Sequence, residues 1–197
     1  MPSPVAHSLI GFIVCYSSNN NRKINLKIAG TYALVANLPD FDFIPGFLLN
    51  MPNDFHRGAS HSIGMSIFFG LLIALIALFR SKPKNFVHIF FLYGGLYLSH
   101  VILDLFSVDT SLPYGEQIFW PITHIFYISP FSLFLDIQRN ISSNTEFIYT
   151  LFNLHNFKAI LLEASIFLPV IGSIYLYKKY VAAKSNNLLQ SNNEICL

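Results

Sequence analysis

Three long apolar segments limit what this chain can fold into more than any other feature of its sequence. Ser62–Phe79 contains no charged residue, and Asp104 is the only carboxylate of Phe86–Val108. Ala159–Tyr177 is the third such segment. A helix needs about 20 consecutive apolar residues to cross the hydrocarbon core of a bilayer. Each segment is therefore predicted to be a membrane-spanning helix.

The composition of the whole chain agrees with this prediction. Of its 197 residues, 53% are hydrophobic and 11% are charged, whereas a soluble domain carries about 25% charged residues. We therefore predict an all-α fold, a polytopic helical bundle embedded in the bilayer. Residues 1–180 would form one domain, and residues 181–197 a disordered polar tail. The net charge of +2 is too small to indicate a nucleic acid partner, and no pattern indicates an oligomeric state.

Two further apolar helices are predicted near the amino terminus, over Val5–Tyr16 and Leu26–Leu38. Both are short for a membrane span, so a re-entrant or partly buried hairpin is expected. Residues 109–157 are interrupted by three prolines and contain several aromatic residues. This pattern indicates segments that lie at the membrane interface.

The basic residues predict which side of the membrane each loop faces, because cytoplasmic loops are rich in Lys and Arg. They form three clusters, Arg22/Lys23/Lys27, Arg80/Lys82/Lys84 and Lys178/Lys179/Lys184. Placing all three clusters in the cytoplasm and alternating the spans puts the amino terminus, residues 39–61 and residues 109–157 outside. The polar residues described below then share the non-cytoplasmic face.

The stretch from Asp40 to His61 concentrates polar residues between apolar segments. It contains two carboxylates, Asp40 and Asp42, and two imidazoles, His56 and His61. These groups are the usual ligands of zinc, manganese and iron, and burying them is costly unless something compensates them. We expect a divalent metal site here, with Asp42 the stronger ligand and Asp40 close behind. The alternatives are an Asp that caps the next helix and a polar turn at the interface.

His100 and Asp104 are separated by three residues in the sequence Ser-His-Val-Ile-Leu-Asp. On a helix this spacing puts both side chains on one face, one turn apart. Ionisable residues inside a membrane segment usually serve a function, so the pair is a candidate for metal ligation. Taken alone, the two residues fit equally well a hydrogen bond that ties two helices together.

Four further polar residues are weaker candidates. His7 on the first helix is either a buried, hydrogen-bonded side chain or an additional metal ligand. Arg57, beside the two histidines, is suited to an anion such as a phosphate oxygen. Glu116 is a candidate general base, although loop acids are more often solvated. Glu163, in the last span, could hydrogen-bond across helices, reach the interface or join the site.

In combination these motifs resemble a known family. In chain order they are Pro-x-x-His7, Pro39-Asp40-x-Asp42, His56-Arg57-Gly58-x-x-His61-Ser62, Ser99-His100-x-x-x-Asp104 and Trp120-Pro121. Over about residues 1–125 the chain is similar to the YdjM-like family, inner-membrane proteins of bacteria described as metal-dependent hydrolases. The resemblance implies a multi-pass inner-membrane protein whose ligands are His7, Asp40 or Asp42, His56, His61, His100 and Asp104. Ser60 stands where the family often has Thr, and it keeps the hydroxyl.

The ligand order also looks like that of zinc-dependent phospholipase C, with an early His, an Asp, a His and then HxxxD. The later His and Glu ligands of that enzyme have no match in this chain. A third metal ion is therefore not expected.

The function expected from these observations is a membrane-bound metal-dependent hydrolase. One or two divalent ions, zinc first with manganese or iron as alternatives, would activate a water that attacks an ester. A site at the membrane favours a phosphoester in a lipid or lipid-linked substrate. Asp104 could bridge two ions, Arg57 would steady the anionic substrate, and Asp40 or Glu116 would act as base. The alternative is a protein that is not an enzyme, either a cation or proton transporter or one in which these residues form a structural polar network.

Overall fold

The computed structural model of the protein describes residues 1–18, 24–51, 53–81, 85–110 and 112–195. Across these residues the fold is all-α, as predicted, with two isolated β-bridges and no strand. The helices are α1 (Pro4–Ser18), α2 (Leu26–Ala36), a 3-10 helix (Leu38–Asp42), α3 (Phe43–Leu48), α4 (Ile63–Ser81), α5 (Phe86–Leu105), α6 (Asn144–Thr150) and α7 (Leu154–Ile195). The basic residues Arg22, Lys23, Lys82 and Lys84 lie outside the described residues.

Helices α4, α5 and α7 are each long and apolar enough to cross a membrane. The qualifying stretches are Ile63–Arg80, Phe86–Leu105 and Leu154–Lys184. Helices α1 and α2 are apolar but shorter, in agreement with their short predicted lengths. The prediction of a polytopic helical bundle in the membrane is confirmed, whereas the side of the membrane that each end faces stays a prediction.

Two helix ends differ from those expected from the sequence. Helix α5 ends at Leu105 rather than Val108, because residues 106–108 turn away to pair with residues 133–134. Helix α7 begins at Leu154 and continues to Ile195, through most of the predicted tail. The side chains of residues 185–197 lie outside the described part, so the division into a domain and a disordered tail stays a prediction.

The helices approach each other closely where glycines face a neighbouring backbone. Helix α4 packs against α5, and α1 packs against α2, α5 and α7. A Cβ atom on Gly70 would lie 2.7 Å from the carbonyl oxygen of Phe90, and one on Gly11 would lie 2.5 Å from the amide nitrogen of Ala33. Small residues at such contacts allow the tight packing on which membrane helices depend for their association.

Helix α7 holds α1 near both of its ends. The amide nitrogen of Ser3 donates to Glu163 Oε1 at 2.7 Å, and the Ser3 hydroxyl donates to Glu163 Oε2. Lys178 Nζ donates to the carbonyl oxygen of Tyr16 in the last turn of α1. A carboxylate at the amino-terminal end of a helix and a cation at its carboxyl-terminal end both complement the helix dipole. Of the three roles that its position in the sequence allowed, Glu163 therefore has that of a hydrogen-bond partner across helices.

The segment between α5 and α6 crosses the ends of α4 and α5 that carry the polar motifs. The amide of Ile63 donates to the carbonyl oxygen of Ile118 at 2.9 Å, and that of Val108 donates to Phe134 at the same distance. Within the segment, Glu116 and Tyr127 exchange two backbone hydrogen bonds of 3.0 and 2.8 Å. The segment therefore forms a cover over this end of the bundle.

Candidate metal centre

Three separate parts of the chain bring four metal-binding side chains together at one end of the bundle. Asp40 comes from the 3-10 helix, His61 from the turn before α4, and His100 and Asp104 from α5. One donor atom from each of the four lies within 4.8 Å of the others, so the group could hold a metal ion. His61 and His100 are completely buried.

The spacing of the four donors resembles that of a coordination shell. The two Nε2 atoms of His61 and His100 are 3.2 Å apart, and each lies 3.5 Å from Asp104 Oδ2. Asp40 Oδ1 lies 3.6 Å from His61 Nε2 and 3.4 Å from His100 Nε2. Tetrahedral ligands at about 2.1 Å from zinc are about 3.4 Å from one another. The residues present therefore fit a four-coordinate divalent ion.

The outer nitrogens of both imidazoles are held by hydrogen-bond acceptors. His100 Nδ1 lies 2.8 Å from the carbonyl oxygen of Ala36, which can only accept, so this nitrogen carries the proton. His61 Nδ1 lies 3.2 Å from Asp42 Oδ2. A neutral ring with a proton on Nδ1 presents a lone pair at Nε2. Two such lone pairs 3.2 Å apart repel each other unless a metal ion or a proton lies between them, and metal-binding histidines are oriented in this way.

Several carboxylate oxygens of the centre have no hydrogen-bond partner among the described residues. They are Asp40 Oδ1 and both oxygens of Asp104, all of them buried. Burying a carboxylate oxygen without a partner is costly. A cation at this position would compensate for that cost, so the unpaired oxygens agree with the donor spacing.

Asp42 has hydrogen-bond donors on every side. It accepts from the Ser60 hydroxyl at 2.6 Å, the amide of Arg57 at 3.2 Å and His56 Nδ1 at 2.8 Å. Burial opposes its ionisation, but the hydrogen bonds from His56 and His61 outweigh burial and hold the pKa of Asp42 well below its ordinary value. Asp40 Oδ1, in contrast, has no hydrogen-bond partner among the described residues, and which of the two carboxylates is the stronger ligand stays a prediction.

His56 lies beside this centre and shares Asp42 with it. Asp42, His56 and His61 form a second group whose donors lie within the same 4.8 Å limit. The ring of His56 stacks on Phe43 with 3.9 Å between centroids, and its Nε2 contacts the Met1 sulfur at 2.8 Å. Burial lowers the pKa of His56 to about 4. Its role as a metal ligand stays a prediction.

His7 approaches the centre from α1. Its ring stacks on that of His100 with 3.7 Å between centroids. His7 Nε2 lies 3.2 Å from Asp104 Oδ1, but without hydrogen-bond geometry, and His7 is completely buried. The two oxygens of Asp104 therefore face different imidazoles, Oδ1 towards His7 and Oδ2 towards His61 and His100.

Arg57 is buried beside the centre and is paired with a carboxylate that the sequence analysis missed. Its Nη1 donates to Asp109 Oδ1, and Asp109 Oδ2 accepts from the amide of Gly115 at 2.6 Å. Hydrogen bonding to Asp109 outweighs burial and raises the pKa of Arg57. Asp109 lies in a loop beyond α5, so no helical spacing relates it to Arg57 in the sequence.

A small cavity connects Asp104 with Arg57 and Glu116. Its volume of about 10 Å³ is about the space that one water needs. Asp109 and Tyr127 contribute to its lining. Glu116 is only 3% exposed. Among the described residues, neither Glu116 Oε2 nor Arg57 Nε has a hydrogen-bond partner. Burial, and then the charge of Asp104, raises the pKa of Glu116 to about 8.

The raised pKa of Glu116 predicts how the stability of the metal-free protein depends on pH. The unfolded chain ionises Glu116 at its ordinary value of 4.5, whereas the folded chain keeps the proton until about pH 8. The folded state therefore loses stability as the pH rises between these values, by up to about 1.4 kcal/mol per unit. We expect Glu116→Gln to remove this slope when chelator-treated protein is unfolded in detergent at a series of pH values. Parallel profiles for the two proteins would contradict the prediction.

The comparisons with known proteins show the family of this chain. The sequence model of the family described as "YdjM inner membrane protein" matches residues 1–182. Neither the curated proteins nor the solved structures contain a match. The family match extends well beyond residues 1–125, over which the motifs resemble it, and includes α7 as far as residue 182. The chain belongs to the YdjM inner membrane protein family.

Proposed function

We propose that this protein is a membrane-bound hydrolase that uses a divalent metal ion to cleave a phosphoester. The observation that carries the proposal is the pair of imidazole nitrogens, His61 Nε2 and His100 Nε2, 3.2 Å apart. The outer nitrogens of both rings are held by acceptors. Together with Asp40 and Asp104 they form a donor set of two nitrogens and two oxygens, which suits zinc, with manganese or iron as alternatives.

The charges around the centre support a divalent ion. Four carboxylates surround it, and two guanidinium groups lie near them. Burial lowers the pKa of Arg139 only to about 10, and Glu116 keeps its proton at neutral pH. Metal ligation requires neutral imidazoles, and with both imidazoles neutral these groups leave two negative charges, which one divalent cation would balance. The groups counted are Asp40, Asp42, Asp104, Asp109, Arg57 and Arg139. In the metal-free protein, hydrogen bonds to Asp104, Asp40 and Asp42 outweigh burial and raise the pKa of His61 well above its ordinary value, so a proton would partly replace the cation.

A divalent ion bound here would lower the pKa of a water and polarise the ester oxygen. Residues of the chain would transfer the proton, bind the substrate and position the ligands. Glu116 faces the cavity beside Asp104, and the positive charge of the ion would lower its pKa so that it could accept the proton of the attacking water. Arg57, anchored by Asp109, would hold an anionic oxygen of the phosphoester. Asp40 then serves as a ligand, and Asp42 positions His61.

A second ion, if two are used, would bind between His7 and Asp104 Oδ1. Asp104 would then bridge the two ions, which is common where phosphoesters are cleaved. The predicted cytoplasmic position of the basic clusters puts this end of the bundle on the non-cytoplasmic face of the inner membrane.

One observation favours the enzyme over a cation or proton path. In the described residues of α5, no acidic, basic or histidine side chain lies between His88 and His100, and α4 has none between Ile63 and Arg80. Transport paths through a membrane are usually lined by successive ionisable groups. The ionisable residues of these two spans lie instead near the helix ends, with none in the middle of either span.

The proposal is tested by metal analysis and a hydrolysis assay on the purified protein. We expect stoichiometric metal in the wild-type chain and metal-dependent cleavage of a chromogenic phosphodiester. Glu116→Gln should keep the metal but cleave about 10²–10⁴-fold more slowly, the range typical of a lost general base. His88→Ala, at the opposite end of α5, is the matched control and should behave as the wild type. A chain that binds no added zinc or manganese would overturn the proposal, and metal flux into vesicles without hydrolysis would favour a transporter.

A further inference from the structure

The cover over the metal centre exposes several large apolar side chains. Six residues between positions 119 and 133 have exposed fractions that range from 45% for Phe119 to 90% for Ile122. We call them the outer apolar face. They are Phe119, Ile122, Ile125, Ile128, Phe131 and Leu133.

With one exception, the charged side chains of the cover are buried or half-buried, whereas those of a soluble protein are mostly exposed. Among the described residues of 109–157, Glu146 is the only exposed Asp, Glu, Lys or Arg. Glu116 and Asp136 are only 3% and 5% exposed. A soluble protein rarely exposes so large an apolar area, and such areas mark contacts with a membrane or another protein. Here an apolar exterior encloses a polar interior.

The cover is hydrogen-bonded at the start of α4 and just beyond the end of α5. These contacts set the depth of the cover in the membrane. The amide of Ile63, where the α4 span begins, donates to Ile118. A Cβ atom on Gly64 would lie 2.2 Å from the carbonyl oxygen of Trp120, so Trp120 rests against the first turn of α4. The span Ile63–Arg80 contains 18 residues, or about 27 Å of helix, close to the thickness of the hydrocarbon core. Trp120 is therefore expected at the edge of that core.

We propose that the outer apolar face lies within the lipid leaflet on the side of the metal centre, in contact with acyl chains and headgroups. Ile128 both lines the cavity beside Asp104 and is 56% exposed. One thin wall therefore separates that cavity from the leaflet. It follows, if the proposed hydrolase function is correct, that the substrate is an amphiphilic phosphoester that approaches from the leaflet.

Trp120 is the only tryptophan in the chain and reports on this depth without labelling. The full-length protein is reconstituted into vesicles whose phosphatidylcholine is brominated near the glycerol end or near the terminal methyl of the chains. We expect the shallow bromines to quench most of the Trp120 emission, the deep ones to quench less, and aqueous acrylamide to quench little. Ile122→Lys should weaken shallow-bromine quenching and strengthen acrylamide quenching, whereas Ser142→Lys, outside the face, should change neither.

Two results would overturn the proposal. Strong acrylamide quenching with no effect of bromine would place the face in water. Protection from both quenchers that disappears on dilution into lipid would show that a second copy of the chain covers it.

This measurement needs neither metal nor activity, so its failure is distinguishable from failure of the hydrolase proposal. In an active preparation, Ile122→Lys should lower cleavage of phospholipid in vesicles severalfold. It should leave cleavage of a water-soluble phosphodiester unchanged. Equal losses on both substrates would contradict delivery from the leaflet while leaving the hydrolase function in place.

Discussion

Replacing Asp104 by Asn is expected to remove the bound metal and the hydrolytic activity together. Asp104 Oδ2 lies 3.5 Å from both His61 Nε2 and His100 Nε2, and in the part of the chain that the structure describes neither carboxylate oxygen has a hydrogen-bond partner. Asn has nearly the same shape but no negative charge, so its effect reports on the ion rather than on packing. The loss of metal affinity should exceed the 10–100-fold typical of a residue that only orients a ligand.

Metal content and cleavage rate are measured on the same preparations, with His88→Ala as the matched control on α5. His7→Gln separates one ion from two. If a second ion binds between His7 and Asp104, this variant loses about half of the metal; otherwise it loses none. Metal content unchanged in Asp104→Asn would mean that the four donors do not share an ion.

Replacing Glu163 by Ala is expected to destabilise the protein and to loosen His7. The carboxylate of Glu163 is completely buried and accepts from both the amide and the hydroxyl of Ser3. Ala would leave two buried donors unpaired at the start of α1, at a cost of about 2–3 kcal/mol. Because His7 follows one turn later on α1, its stacking on His100 should become less well defined.

The measurements are thermal unfolding in detergent and metal affinity. Glu163→Gln keeps a carbonyl acceptor and should recover part of the stability. Ser165→Ala, on the exposed side of the same helix, should have little effect. A Glu163→Ala protein as stable as the wild type would show that α1 is held by its apolar packing alone.

The membrane fold was predictable because the information is local. An uncharged stretch of about 20 residues must span a bilayer as a helix, since its backbone groups have to be satisfied internally. The spans near Ser62–Phe79 and Phe86–Val108 needed no other evidence. The end of α5 could not be predicted, because residues 106–108 leave the helix to pair with residues 133–134, far along the chain.

The candidate centre was predictable in its residue types but not in the roles of its members. The i, i+4 spacing put His100 and Asp104 on one face, and the family motifs pointed to Asp40, His61 and His7. Hydrogen bonds separate a ligand from a residue that orients one, and the donors around Asp42 could not be read from the sequence. The roles of Asp109 and Arg139 could not be predicted, because their partners Arg57 and Asn53 are distant in the sequence.

The sequence by itself determined that this chain is a helical membrane protein. It also determined which imidazoles and carboxylates are candidate metal ligands, because hydrophobic length and helical spacing are properties of short segments. Only the tertiary structure decided which donors face one another. It also decided that Asp42 supports His61, that Glu163 holds α1, and that an apolar face covers a polar interior. Those relations depend on distances between residues tens to more than a hundred positions apart, which the packing of the helices sets.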